Sequence, residues 1–255
     1  VTVEGALVER REPRAIELLD QGWSLNATSK HLGVSRSALR EWRDHGVEPR
    51  GRPAPCFVCT GDVCSEVSEY VLLLGFYLGD GCISKQRRTF SLRVSCDARY
   101  PAIIDKVSRA IEAVHESGRV CHVRGPGVIV VQNCWNHWPC LFPQHGPGRK
   151  HERSLTLEPW QRTSIKAHPA QFLQGLFHSD GSRTNNWTTR TVAGVPKRYD
   201  YPRWQFVNHS ADIRRWCTEA LDLLGVPWRQ SNWKCISVST RAGVARLDEL
   251  IGPKQ

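Results

Sequence analysis

The sequence contains no methionine, and no apolar run in it approaches the roughly 20 residues that a membrane-spanning helix needs. The missing methionine fits a GC-rich gene and carries no mechanism. The missing apolar run argues against a helical membrane protein. The first residues, VTVEGALVERREPRAIELL, are charged from Glu4 onward and do not read as a secretory signal. Acid is in short supply. Against 35 Lys+Arg there are 25 Asp+Glu, which leaves a formal charge of +10. Such an excess on a folded chain points to a polyanion, most often nucleic acid. Without a secretory signal, the 10 cysteines scattered from Cys56 to Cys235 read as free thiols of a reducing cytosol rather than a disulfide framework. The remaining composition, 40% hydrophobic and 24% charged over 255 residues, is that of a globular protein of one or two domains with a real core.

Three regions separate along the chain: a helix-rich segment over 1–46, a linker with a cysteine cluster over 47–67, and an alternating helix and strand region over 68–255. Residues 47–55, VEPRGRPAP, hold three prolines and show no apolar periodicity. In the first segment, helices are expected over 13–21 and 24–32, with Ser24 as N-cap. Gly33 supplies a turn and Ser35 caps a third helix. Leu32, Val34, Leu39 and Trp42 form its small core. Ser35, Arg36, Ser37, Arg40 and Arg43 project from the third helix. The pattern resembles the helix-turn-helix of bacterial regulators, most specifically in LGVSRSALREW, with Ser29 where alanine is usual. The resemblance implies a third helix that enters the major groove of DNA. The plainer alternative is a helical hairpin that only packs.

The larger region repeats itself. An apolar stretch over 70–78 ends in Asp80-Gly81, and another over 172–177 ends in Asp180-Gly181. After the first come a strand at 90–97, a helix at 100–115 and strands near 119–124 and 128–133. After the second come a strand at 203–209, a helix at 211–225 and strands near 227–231 and 234–239. One order of elements in two halves, about 68–145 and 146–255, is an internal duplication.

Within the apolar stretches, Gly75 and Gly79 lie four apart, as do Gly175 and Ser179. Residues four apart share a helix face, and small ones let two backbones touch. Glycine after a helix is the expected cap. Aspartate at a helix C-terminus is not, because that end already carries negative partial charge. Two such carboxylates at the ends of touching helices make sense around divalent cations. Hard oxygen donors suit Mg²⁺, which can activate water in phosphodiester hydrolysis.

LLLGFYLGDG and FLQGLFHSDG resemble the LAGLIDADG motif in its two-copy, single-chain form. GPGRKHERSLTLEPWQ resembles that family's approach to its second motif. The resemblance covers roughly 68–255 and implies an α+β fold of two pseudo-twofold αββαββα halves, joined here to an all-α helix-turn-helix domain. It implies a monomeric, site-specific endonuclease acting on a long asymmetric duplex site. Two or three Mg²⁺ ions would be held by Asp80 and Asp180 with the carbonyls of Gly79 and Ser179. His178 and Ser179 depart from the usual motif but remove no carboxylate. The alternative is a cleavage-inactive regulator, since bacterial sporulation regulators also join this fold to a helix-turn-helix. Either protein would work in a bacterial cytoplasm, at the nucleoid.

Residues 89–96 alternate strictly, with Phe90, Leu92, Val94 and Cys96 opposing Thr89, Ser91, Arg93 and Ser95. Tyr201, Arg203 and Gln205 likewise oppose Trp204 and Phe206. In the resembled family the polar sheet face meets DNA. Lys85, Arg87, Arg88 and Arg93 in the first half are therefore candidate DNA contacts, as are Arg183, Arg190, Lys197, Arg198 and Arg203 in the second. Lys234, Gln205 and Lys150 are candidates for the basic and amide groups around the reacting water. Cys56 and Cys59 resemble half a zinc knuckle, with Cys64 a third candidate ligand. A fourth is not evident, and His137, Cys140 or His145 would serve only if the fold brought one near. The alternative is ordinary thiols in a linker.

Overall fold

The structure is a computed structural model that describes residues 11–45, 56–62, 64–116 and 118–254. The proline-rich stretch over 47–55 lies outside them. Contacts divide the chain into two compact units, Val1–Pro55 and Cys56–Gln255. Residues 56–62 and 64–67 thus group with the larger unit, and Cys56 is buried in its core. No helix among the described residues is long and apolar enough to cross a membrane.

The small unit holds α1 (Arg11–Asp20), α2 (Leu25–Leu32) and α3 (Arg36–His45). Ser24 caps α2 by accepting the Ala27 amide at 3.2 Å. Gly33 ends it in the left-handed region at φ 64°. Ser35 accepts the Ala38 amide at 3.3 Å and starts α3. Ser29, standing where alanine is usual, donates its hydroxyl to the Val34 carbonyl at 2.7 Å and satisfies a turn acceptor. The buried centre is Ala15, Leu18, Thr28 and Leu39. Leu32, Val34 and Trp42, expected there, are only half-buried.

The larger unit opens with a single-turn helix, α4 (Phe57–Thr60), and then forms two copies of one pattern. The first copy is α5 (Val67–Asp80), β1 (Gly81–Lys85), β2 (Phe90–Asp97), α6 (Pro101–Val114), β3 (Cys121–Gly125), β4 (Val128–Cys134) and the short α7 (Trp138–Leu141). A connecting helix, α8 (Pro159–Ala167), precedes the second copy. That copy is α9 (Pro169–Asp180), β5 (Gly181–Val192), β6 (Val195–Val207), α10 (Ala211–Leu223), β7 (Arg229–Asn232), β8 (Cys235–Val238) and α11 (Arg241–Ile251). Each copy is αββαββα, with a four-stranded antiparallel sheet ordered β1-β2-β4-β3 or β5-β6-β8-β7.

The sequence reading missed β1 and β5 because each motif helix passes into its strand with no loop between. Gly81 and Gly181 are not left-handed caps. Both are extended, at φ −92° and ψ 154° and 159°. Their glycine is required by space: a Cβ on Gly81 would meet the Tyr77 carbonyl at 2.9 Å, and one on Gly181 the Phe177 carbonyl at 2.5 Å. The second hairpin is also longer than its sequence pattern indicates, running from Gly181 to Val207 around Ala193-Gly194. Both turn residues have positive φ, 51° and 80°, as a two-residue turn matched to strand twist requires.

Helices α5 and α9 form the spine of the larger unit. Tyr70, Leu73, Leu74, Phe76, Phe172, Leu173 and Phe177 bury essentially all their surface around it. At the crossing a Cβ on Gly75 would lie 2.6 Å from the Phe172 carbonyl and 2.9 Å from the Gly175 Cα. Nothing larger than hydrogen fits there without parting the helices.

Gly75→Ala should therefore destabilise the larger unit by about 1–3 kcal/mol, the usual cost of overpacking. Helix propensity alone would favour alanine by about 1 kcal/mol. A fall in the urea midpoint is the expected reading, and a rise would mean the helices do not touch here.

Candidate active site

The helix spine delivers Asp80 and Asp180 to one place, since both end helices that meet backbone to backbone. A Cβ on Gly79 would lie 3.3 Å from Asp180 Oδ2 and would run into the Ser179 side chain. Burial, and then the charge of Asp180, push the Asp80 carboxyl up to about 6, although its surface stays open to solvent. Burial raises Asp180 as well, opposed by a hydrogen bond of 2.6 Å from Asn208 Nδ2.

Two lysines answer these charges. Lys150, in a single 3-10 turn (Lys150–Glu152), donates to the carbonyls of Tyr77, Gly79 (3.2 Å) and Gly81 (2.8 Å). Its ammonium thus gathers carbonyls at the end of α5 and the start of β1, the free Gly79 carbonyl among them. Burial pulls it down to about 8, against the opposing pull of Asp180 and Asp80. Lys254 donates to the Ser179 carbonyl at 3.2 Å and stands to α9 as Lys150 stands to α5. It is also lowered by burial and held up by Asp80 and Asp180. Lys254 and Asn208 were missed in the sequence. The first follows Gly-Pro near the C-terminus and the second comes just after β6, and neither lies in a motif.

The carboxylates open onto two clefts. Asp180 lines one with Lys150, Asn208, His209 and Arg149. Asp80 lines the other with Cys96, Asp97, Arg99 and Lys254. The halves are not equivalent here. Strand register places Arg93 opposite Cys82 and Gln205 opposite Ser182, so Arg93 matches Gln205 and Cys96 matches Asn208. Asp180 thus has an amide donor where Asp80 has a thiol, and Asp80 is the carboxylate whose value rises furthest. Lys234 lies elsewhere. Its ammonium stands over the Trp233 ring at 5.7 Å, and its carbonyl accepts the Asn208 amide at 3.0 Å. It is tied to Asp180 through Asn208 rather than by lining either cleft. Gln205 is half-buried on the polar sheet face, 3.4 Å from Cys235 Sγ.

Pairing sorts the basic residues by face. On β5 and β6, Arg190, Lys197 and Arg203 share the polar face with Gln205, whereas Arg183 and Arg198 lie on the face of Trp204 and Phe206. Arg183 is held in a two-pronged pair by Asp248 at 2.6 and 2.8 Å, and Arg198 by Asp200 at 2.7 Å. Arg190 and Lys197 sit directly opposite one another, a repulsive pairing unless an anion lies between them. On the first sheet Arg93 is on the polar face, Lys85 packs over Phe90 at 4.2 Å, and Arg87 and Arg88 are exposed in the turn. Arg93 Nε and Arg203 Nε are buried without a hydrogen-bond partner. In the small unit Ser35, Ser37 and Arg40 are exposed, Arg36 donates to Asn26 at 3.1 Å, and Arg43 pairs with Asp44 at 2.8 Å. The cysteine reading needs a correction. Cys56 and Cys59 meet His137 and Cys140, and Cys64 is not part of that group. His145 packs on Phe90 instead.

Residues 7–52 match the profile of a homeodomain-like domain. No curated protein matches the chain in sequence. Among solved structures, the homing endonuclease I-DmoI in complex with DNA and manganese is similar at a TM-score of 0.49 and 11% identity, over 74% of this chain and 98% of that one. The LAGLIDADG meganuclease I-AabMI bound to uncleaved DNA follows at 0.44 and 12%, over 71% and 82%. The N-terminal LAGLIDADG domain of WhiA gives 0.46 and 12%, over 75% and 85%. The fold stands on this chain's own element order and strand register.

Asp80 binds a proton more tightly in the fold than in the unfolded chain. Its ionised form is therefore a cost above about pH 6 that fades as pH falls towards about 4. In chelator, Asp80→Asn should raise the melting temperature at neutral pH by about 1–2 °C, on a scale of roughly 2–4 °C per kcal/mol. The gain should vanish near pH 4. An equal gain at both pH values would assign it to something other than this charge.

Proposed function

We propose that this chain is a site-specific DNA endonuclease of the LAGLIDADG type. Its helix-turn-helix and sheet faces bind a long asymmetric duplex, and Asp80 and Asp180 form the cutting centre. The observation that carries the reading is the pair of crowded carboxylates. Two helices bring them together at their negative ends, where burial and then the charge of Asp180 raise Asp80. Both carboxylates come from one chain, so a monomer suffices.

The donor set fits a hard divalent cation: two carboxylates with the carbonyls of Gly79 and Ser179 beside them. Mg²⁺ held there would supply Lewis acidity towards a phosphate oxygen and would make a bound water more acidic than bulk water. The chain's own groups do the rest. Asn208 orients Asp180. Lys150, at about 8, places a positive charge, and a proton exchangeable near neutrality, beside the scissile phosphate. Arg93 and Arg203, on the polar sheet faces, hold flanking phosphates, as do Arg190 and Lys197. Ser35, Ser37 and Arg40 on α3 meet a separate stretch of the duplex.

One observation favours a second reading, a binding protein that does not cut. The ammonium groups of Lys150 and Lys254 lie on the Gly79 and Ser179 carbonyls, where they serve as internal counter-cations.

Supercoiled plasmids carrying a target library separate the two. The endonuclease reading expects linear product with Mg²⁺, none with Ca²⁺, and at least a 100-fold loss for Asp80→Asn or Asp180→Asn with duplex affinity retained, in line with about 10²–10³ for a lost stabilising group. Duplex binding should also weaken steeply with salt, by about 0.9 log unit per phosphate contact and log unit of salt. Tight, salt-sensitive binding without cutting would establish the regulator instead. Cutting that survives both substitutions would remove the site from Asp80 and Asp180.

A further inference from the structure

We propose that Cys56, Cys59, His137 and Cys140 hold a structural Zn²⁺ ion that fastens the start of the larger unit to the end of its first half. Their ligand atoms all lie within 4.8 Å of one another. The separations are Cys56 Sγ to Cys59 Sγ 3.5 Å, Cys59 Sγ to Cys140 Sγ 3.6 Å, Cys59 Sγ to His137 Nδ1 3.3 Å and Cys140 Sγ to His137 Nδ1 3.8 Å. Around tetrahedral zinc, with Zn–S about 2.3 Å and Zn–N about 2.0–2.1 Å, two sulfurs stand about 3.8 Å apart and a sulfur and a nitrogen about 3.5 Å. The observed separations are close to those edges. The sulfurs are too far apart for a disulfide, whose bond is about 2.05 Å. Three thiols and an imidazole are also the donor set that selects zinc over the hard cations.

The local structure is built the same way twice. Cys56 caps the single turn α4 and Cys59 lies within it, the Cys59 amide bonding the Cys56 carbonyl at 2.9 Å. His137 caps the single turn α7 and Cys140 lies within it, the Cys140 amide bonding the His137 carbonyl at 3.0 Å. Each turn offers two ligands three residues apart on one side. A four-residue helix cannot hold itself, because nucleation costs more than one turn returns. A cation shared by the two turns supplies the missing constraint across a separation of about 80 residues in sequence. On binding, the three thiols release their protons to solvent and the imidazole binds as the neutral ring. No electron transfer is involved, and the site is independent of whether the chain cuts DNA.

The full chain, purified without chelator, should contain about one zinc per chain by elemental mass spectrometry, as one four-ligand site requires. Replacement by Co²⁺ should give the intense visible bands of tetrahedral cobalt and a thiolate charge-transfer band. Cys140→Ser and His137→Ala should lose the zinc, and a chelator should lower the melting temperature of the parent. Cys64→Ser, outside the cluster, should keep it. Absence of zinc with a cobalt spectrum lacking thiolate bands would overturn the proposal, as would a Cys59–Cys140 disulfide in peptide mapping. Retention of zinc by both ligand variants would do the same. The content and spectrum of the parent decide the matter even if a variant fails to fold.

Discussion

The contact between α5 and α9 is the constraint on which the rest of the larger unit depends. Gly75 and Gly175 face each other with only hydrogen between the backbones, and their carbonyl and Cα neighbours leave no room for a methyl group. Once the helices are that close, their ends and the residues at those ends are fixed. The immediate turn from helix into strand, through extended Gly81 and Gly181, then places each sheet directly beside its own aspartate. The rest of the site follows from this geometry: β1 and β5 begin at the carboxylates and run outward, and the strands carrying Arg93 and Gln205 pair with them and return towards the carboxylates.

That closeness has an electrostatic cost, and the chain answers it unequally. Two helix C-termini and two carboxylates converge, and Lys150 and Lys254 each take up orphan carbonyls of one helix. Asn208 steadies Asp180, while the matching position beside Asp80 is Cys96, which offers no comparable bond. Asp80 is the carboxylate that burial and the neighbouring charge raise furthest, and Asp180 the one the protein already holds in place. Outside the centre, Arg190 and Lys197 stand opposite one another on the polar face of β5 and β6, a second place where like charges are brought together.

Much of this was legible in the sequence where a local pattern carries it. Glycine spacing marked the helix contact, the repeated Asp-Gly marked the two carboxylates, and alternation over 89–96 marked the inner face of β2. What was not legible lacks a local signature. β1 and β5 follow their helices without a loop. Most of the β5–β6 hairpin is exposed on both faces and therefore has no alternation to read. Lys254 reaches the site only because α11 turns the chain back. His137 and Cys140 join Cys56 and Cys59 through topology, and Cys64, the neighbour in sequence, stands outside that group.

The proposed cutting centre requires that Asp80 and Asp180 together bind a divalent cation. The most direct measurement is equilibrium binding of Mn²⁺, followed by loss of the free-ion electron paramagnetic resonance signal, to the full chain in the presence of duplex DNA. Saturable binding is expected in the parent, and either Asp80→Asn or Asp180→Asn should abolish it, because each carboxylate supplies charge to the same site. Binding of equal strength in the parent and both variants would contradict it.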